Sequence, residues 1–351
     1  MNVEIRTEPK KRSFLLRLKK WMWNSLRLTD SPVIKLYTGY GNETKCHLYG
    51  HAFSFSPIPR KKYRQNLLIN AFALLRLFMV RTKKGAVVRL LWKDEQFITR
   101  SEADGFFKFE WSPVITPAIG YHDIEVHMLD LNGQIMATAT AQLLIPPNNP
   151  FAVVSDIDDT FLISYSGNLR KRLYVLLTEN ALSRKPFEGV VEHYKLLSHA
   201  RASKDTVNAF FYVSSSEWNL YDYIRDFSKQ HQLPQGICLL NQVKTFSQVF
   251  KTGQNNHGTK FMRISRILEA YPQQQFILLG DDSQEDPKIY SSLVKHFGQQ
   301  IFCIYIRCVG KNVKPPVEEM INRIKEAGIH CCYFKHSAEA IAHSTSIGLI
   351  T

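Results

Sequence analysis

The chain has 351 residues, a length that favours two compact units over one. Hydrophobic residues make up 44% and aromatic ones 12%, which excludes a disordered chain and leaves no need for a small disulfide-stapled scaffold. Lys and Arg number 45 against 31 Asp and Glu, and the resulting +14 favours anionic partners: nucleic acid, an acidic membrane leaflet or a phosphorylated substrate.

Residues 1–32 read as a basic amphipathic arm. Leu15, Leu18, Met22 and Leu26 recur at three or four residues and share one helical face, flanked by Trp21 and Trp23, with Lys10, Arg17, Lys20 and Arg27 directed elsewhere. Such a helix can lie in a membrane interface or dock on the protein's own surface. Arg17, Lys19 and Lys20 interrupt any secretory signal, and no window reaches the ~18 uninterrupted apolar residues of a transmembrane helix. Residues 33–147 carry short alternating or β-branched runs at 33–37, 47–55, 87–92, 106–111, 123–128 and 134–145, a pattern that predicts an antiparallel, sandwich-like β domain. Residues 60–84, rich in Leu and Phe between basic ends, read instead as a helix that covers the sheet or faces a membrane. Pro146, Pro147 and Pro150 mark a linker.

From residue 148 to 351, apolar runs at 151–155, 209–214, 236–240, 276–280, 301–306 and 330–334 alternate with helical patterns at 189–200, 218–230, 259–270, 287–297 and 316–327. This alternation predicts a parallel sheet with helices on both faces, whose ligands bind beyond the carboxyl ends of the strands. The six cysteines (Cys46, Cys238, Cys303, Cys308, Cys331 and Cys332) lack metal or disulfide spacing, so a reducing compartment is the simpler expectation.

Two strands end in acid. The first runs into Asp156, Asp158 and Asp159, the fourth into Asp281 and Asp282 with Asp286 shortly after. Crowded carboxylates resist ionisation unless a cation compensates them, and oxygen-only ligation points to Mg²⁺ rather than zinc. An acidic turn at one strand end is common on its own; two in one parallel sheet can converge on one ion. Ser214 ends another strand and Lys260 opens a helix, so a hydroxyl and an ammonium join the set, as phosphoryl transfer requires. His257 lies nearest these motifs, but a lone loop histidine is more often solvated.

The ordered set resembles the haloacid dehalogenase (HAD) phosphatase superfamily, and its surroundings resemble the App1 branch, a phosphatidate phosphatase family. The likeness rests on Val154 to Thr160, on Tyr212 to Ser216 with Trp218, Leu220 and Tyr221, on Lys260, on Phe276 to Asp281 with Asp286, Pro287 and Tyr290, and on Ile304 to Arg307. It spans about residues 150–310; Tyr37-Thr38-Gly39-Tyr40-Gly41 is a looser match to the accessory region of bacterial members. Glu217 stands where the family carries Pro, and Asp282 where it more usually has Ser. The resemblance implies a HAD-like Rossmannoid catalytic domain using Mg²⁺, with Asp156 as nucleophile, Asp158 as general acid and base, and Ser214 and Lys260 holding the transferring oxygens. It implies metal ligation by Asp156, Asp158 through its carbonyl, and Asp281 or Asp282, with Thr160 and Asp286 in support. Residues 161–208 leave room for only a short cap, where Arg170, Lys171 and Arg172 can meet a lipid phosphate or form a solvated basic turn.

The expected protein is therefore an Mg²⁺-dependent phosphatidate phosphatase, cytoplasmic, or peripheral on the inner face of a membrane. A soluble phosphomonoesterase and a non-catalytic lipid-binding scaffold are the alternatives. Nucleic-acid binding is disfavoured, because no reading motif accompanies the charge.

Overall fold

The computed structural model describes residues 31–56, 76–162, 185–244, 257–310 and 315–350. The basic arm up to residue 30, most of the 60–84 segment, and Arg170, Lys171 and Arg172 lie outside them. Two sheets organise the rest.

The first sheet contains β1 (Val33–Leu36), β2 (Gly39–Gly41), β3 (Cys46–Phe55), β4 (Arg81–Thr82), β5 (Val87–Trp92), β6 (Glu95–Arg100), β7 (Phe106–Trp111), β8 (Gly120–Leu129) and β9 (Ile135–Ile145). Its main path runs β1-β3-β2-β9-β8-β5-β6, with β4 and β7 also paired to β3. All pairs are antiparallel except β2 with β9. Alternation is visible in β5, where Val88, Leu90 and Trp92 are buried and their neighbours are half-buried, as period-two patterning requires. One expectation needs correction: Arg81 and Thr82, read as the end of a helix, are a strand paired to Phe55 and Phe53. Pairing with the end of β3 overrides the local composition there.

The second sheet contains β10 (Phe151–Ser155), β11 (Ala209–Glu217), β12 (Gly236–Asn241), β13 (Gln275–Asp281), β14 (Ile301–Arg307) and β15 (His330–Phe334). Its order is β12-β11-β10-β13-β14-β15, and every pair is parallel. Between or after these strands come α1 (Val190–His199), α2 (Tyr221–Gln230), α3 (His257–Ala270), α4 (Asp286–Phe297), α5 (Pro315–Glu326) and α6 (Ser337–Ser346). Pro287 sits in the first turn of α4, where its missing N–H costs no helical bond. The chain moves outward from β10 through β11 to β12, then returns to β13 on the other side of β10. The crevice at a topological switch point therefore opens between the carboxyl ends of β10 and β13.

The two sheets share a core. Tyr37, Tyr40, Tyr49 and Phe53 from the first sheet belong to one buried cluster with the strands and helices of the second, whereas Leu48, Val88, Leu90, Trp111 and Val126 form a separate core. Tyr37 stacks on Trp218 with ring centroids 3.9 Å apart. The Tyr271 hydroxyl donates to the Gly41 carbonyl at 2.9 Å, and the Asn42 amide donates to the Ala270 carbonyl at 2.7 Å. All six cysteines are free thiols. No helix among the described residues is long and apolar enough to cross a membrane.

Candidate active site

The register of the parallel sheet sets the site. Ser155 pairs with Leu279 of β13 and with Tyr212 of β11, so the residues just beyond all three strands emerge at one edge. Asp156 continues the ladder by donating its N–H to the Leu279 carbonyl at 2.8 Å. Ligand oxygens of Asp156, Asp281 and Asp286 then lie within 4.8 Å of one another, all three residues being buried.

Lys260, 3% exposed, projects from the first turns of α3 and bridges two of these carboxylates. Its ammonium donates to Asp156 Oδ1 at 2.6 Å and to Asp286 Oδ1. Burial works against its charge, but Asp156 and Asp286 outweigh burial and hold the lysine pKa above its ordinary value. Burial first, then Asp286 and Asp158, lift the Asp156 carboxyl above the carboxylate range, while Lys260 opposes the shift. Asp281 is raised by burial and by Asp286 and Asp156.

One ammonium thus faces three carboxyl groups. Asp281 Oδ1 accepts the Ser283 N–H at 2.6 Å, whereas its Oδ2 is buried with no hydrogen-bond partner among the described residues. An orphaned buried carboxylate oxygen beside two more acids fits a hard divalent cation, which would supply the missing positive charge and oxygen coordination. Asp286 Oδ2 accepts the Asp281 N–H at 3.3 Å, so Asp286 orients the backbone of this loop as well as Lys260. Gly280 makes that approach possible, because a Cβ there would lie 2.5 Å from Asp286 Oδ2 and 2.8 Å from the Tyr290 ring.

Asp158 faces the other way across the crevice. Its Oδ2 accepts from Ser214 Oγ at 3.1 Å and from Ser216 Oγ at 2.5 Å. Thr160 Oγ1 lies 3.4 Å from Asp156 Oδ2. Of the pair Asp281 and Asp282, only Asp281 joins the carboxylate group. Asp282 turns its oxygens to the Val309 N–H at 2.8 Å and the Tyr333 hydroxyl at 2.7 Å. Glu217, the extra negative charge near the site, pairs with Lys244 at 2.5 Å.

Sequence reading assigned no role to Ser216, Arg263 or Arg307. Arg307 is buried between the Phe187 and Phe334 rings, 4.4 and 4.7 Å from their centroids, and donates to the Thr160 carbonyl at 2.9 Å. It pins the loop that carries Asp156 and Asp158. Its position on the strand after the second acidic motif was the available signal, since a charged residue closing an apolar strand needs a buried acceptor.

Residues 151–308 match the family described as "Phosphatidate phosphatase APP1, catalytic domain". Phosphatidate phosphatase APP1 of Saccharomyces cerevisiae is 29% identical over 181 residues, 50% of this chain and 30% of that protein. An uncharacterized protein of Schizosaccharomyces pombe is 20% identical over 219 residues, 61% of this chain and 35% of its own length. The chain therefore spans about a third of the curated relatives it matches. Among solved structures, a carbohydrate acetylesterase from Xanthomonas citri aligns over 86% of this chain and 68% of that one at 7% identity, with a TM-score of 0.32, too low to bear on the fold. Residues 151–308 are, on the family match and the yeast relative, an App1-like catalytic domain.

Proposed function

We propose that this chain is an Mg²⁺-dependent phosphatase that hydrolyses phosphatidate to diacylglycerol and phosphate at a membrane surface. In this reading residues 148–351 are a HAD-like catalytic domain, residues 33–147 a sandwich-like accessory domain, and residues 1–32 a basic arm. The observation that carries it is the convergence of Asp156, Asp281 and Asp286 at the switch point of a parallel sheet, with Lys260 bridging two of them. The substrate is the one named for the yeast relative.

Asp156, Asp281 and the Asp158 carbonyl would hold the metal; Asp282 is left out because both its oxygens accept other hydrogen bonds. When bound, the ion supplies positive charge that offsets repulsion between a carboxylate and a phosphate ester. An Asp156 oxygen attacks phosphorus, and the bond from phosphorus to the glycerol oxygen breaks. Asp158, held by Ser214 and Ser216, gives its proton to the departing oxygen, then takes a proton from the water that cleaves the aspartyl phosphate. Ser214 and Lys260 position and neutralise the transferring oxygens, the chief demand of phosphoryl transfer. Asp286 keeps Lys260 oriented, and Thr160 steadies the nucleophile loop. Arg170, Lys171 and Arg172 are assigned to the lipid phosphate, and basic groups near an anionic leaflet contribute about 1 kcal/mol each.

The test is phosphate release from phosphatidate vesicles and from a water-soluble phosphate ester, with and without Mg²⁺, for the full chain and for a chain lacking residues 1–30. Vesicle-preferring, Mg²⁺-dependent turnover that weakens on truncation supports the reading. Equal turnover of soluble esters by both chains would replace it with a soluble phosphomonoesterase, and no turnover with Mg²⁺ would end it.

A further inference from the structure

A cavity of about 360 Å³ lies between the first sheet, α3 and the end of β12, and none of Asp156, Asp281, Asp286 and Lys260 lines it. Gly258, Thr259, Met262, Arg263 and Arg266 of α3 form one wall. These positions recur at helical spacing on one face of α3, whereas Lys260 reaches into the carboxylate group. Tyr49 and Phe106 of the first sheet, with Trp218 at the end of β11, make an aromatic wall. The size suits a small ligand or the head group and glycerol of a lipid.

Charge selects the occupant. Arg263 donates to the Ser214 carbonyl at 3.0 Å, to Asn241 Oδ1 at 3.2 Å and to Thr259 Oγ1 at 3.3 Å, all neutral acceptors. Burial pulls its pKa down to about 10, which still leaves it charged at neutral pH. Arg266 is exposed at the same wall and makes no ion pair among the described residues. Two guanidinium groups beside apolar rings, without a paired carboxylate, suit a phosphate attached to an apolar body. Glu102, Asp104 and Gln242 also line the cavity and offer acceptors to hydroxyl groups. Asp104 Oδ1 already accepts the Phe106 N–H at 3.0 Å, and the two acids balance the two guanidinium charges, so a phosphate seats at the arginine end and the acid end takes hydrogen-bond donors of the head group.

We propose that the cavity between α3 and the first sheet is a second binding site, distinct from the carboxylate centre, for an anionic phospholipid with a hydroxylated head group. The phosphate sits against Arg263 and Arg266, the head-group hydroxyls meet Glu102 and Asp104, and the glycerol and first acyl carbons lie on Phe106, Trp218 and Met262. Met262 is 51% exposed and lies where the acyl chains leave toward a bilayer. The proposal is independent of the hydrolytic reading, because a phosphodiester lipid is not a phosphomonoester substrate.

The experiment is calorimetric titration of the full chain with monomeric dihexanoyl phosphatidylglycerol, dihexanoyl phosphatidylcholine and inorganic phosphate. Wild type, Arg266→Gln and Asp156→Asn are compared, with far-UV circular dichroism as the check of folding. Phosphatidylglycerol is expected to bind once per chain, with Asp156→Asn unchanged. Arg266→Gln is expected to weaken it by about tenfold, the loss of one charge-assisted contact. Phosphatidylcholine, whose quaternary ammonium has no N–H or O–H to donate to Glu102 and Asp104, is expected to bind at least about tenfold more weakly than phosphatidylglycerol. Unchanged affinity in Arg266→Gln, equal affinity for the two lipids, or loss of binding in Asp156→Asn would overturn the proposal. Inorganic phosphate binding as tightly as phosphatidylglycerol, and equally weakened by Arg266→Gln, would overturn the lipid assignment in favour of a free-phosphate site.

Discussion

The two sheets of this protein handle burial in opposite ways. In the parallel sheet β10 is buried at every position and β14 at all but one, so its faces are covered by helices and only the strand ends meet solvent or ligand. In the antiparallel sheet β9 alternates along most of its length, and Ile135, Met136 and Leu131 are exposed around one hairpin. A sheet with both faces covered leaves its strand ends as the place for charged chemistry, and the acids gather there. A sheet with one open face can spread its functional surface along its length. The two also meet through a shared aromatic core, so perturbations at the join should be felt by both.

The contrast breaks most sharply at the strand ends. Asp156→Asn is expected to lower phosphate release by at least about 10³-fold while leaving the fold intact, because it retains the shape but removes the oxygen that attacks in the proposed mechanism. Turnover assays beside a thermal melt read this; substantial residual activity in a folded variant would remove Asp156 from the nucleophile role. Next in size is Gly280→Ala, whose methyl collides with Asp286 and Tyr290. Displacing the partner of Lys260 by a fraction of an ångström should cost about 10²-fold in turnover, and overpacking about 1–3 kcal/mol in stability. Restored activity in a folded Gly280→Ala enzyme would show that Asp286 need not hold its place.

Acid should attack both sheets through buried imidazoles. His51 of the first sheet, packed on Phe53 and 2.9 Å from the Tyr37 hydroxyl, has its pKa lowered to about 3 by burial and then by Lys35. His193 of α1, bonded to Ser344 Oγ at 3.0 Å, is also lowered to about 3, by burial and then by Arg307 and His343. Unfolding frees each to titrate near 6.5, so the unfolded chain binds more protons between the two values. Stability is therefore complete above about pH 6.5 and falls as pH drops toward 3, by about 2 kcal/mol per imidazole at pH 5. Urea unfolding at pH 7 and pH 5 should show this slope, and His51→Asn should flatten it by the share of one imidazole. An unchanged slope would mean that His51 is not buried neutral.

The smallest expected effect sharpens the account of the join. The Tyr221 hydroxyl accepts the Thr38 N–H at 3.1 Å and bonds Thr38 Oγ1 at 3.1 Å, linking α2 to the stretch before β2. Tyr221→Phe should lower global stability by about 1–2 kcal/mol by leaving that N–H unpaired. Hydrogen exchange that slows nowhere and quickens only around residues 37–41 would confine the loss to the first sheet; quickening at β11 as well would show that the shared core transmits it.

Much of the fold could be read directly, and the reason is local. β5, β7, β10 and β15 were bounded by their residue types alone, because period-two alternation or an unbroken apolar run ends at a turn residue. The short strands β2 and β4 escaped notice, since two or three residues carry no period and their identity depends on pairing with β3. β6 escaped as well: Glu95, Phe97 and Thr99 are only half-buried, so its alternation lacks a fully buried face.

What the sequence determined by itself was the alternation of apolar strands with amphipathic helices, the acid-tipped ends of the first and fourth strands of the second sheet, and the order of Asp156, Asp158, Ser214, Lys260 and Asp281 along the chain. Tertiary structure decided which of those groups meet. It turned Asp282 toward Tyr333, brought Asp286 onto Lys260 through the space left by Gly280, and drew Ser216 and Arg307 around the loop that carries Asp156 and Asp158. Residue spacing reports the period of one segment, whereas the direction of a buried polar side chain is set by whichever donors and acceptors other segments bring within hydrogen-bond reach.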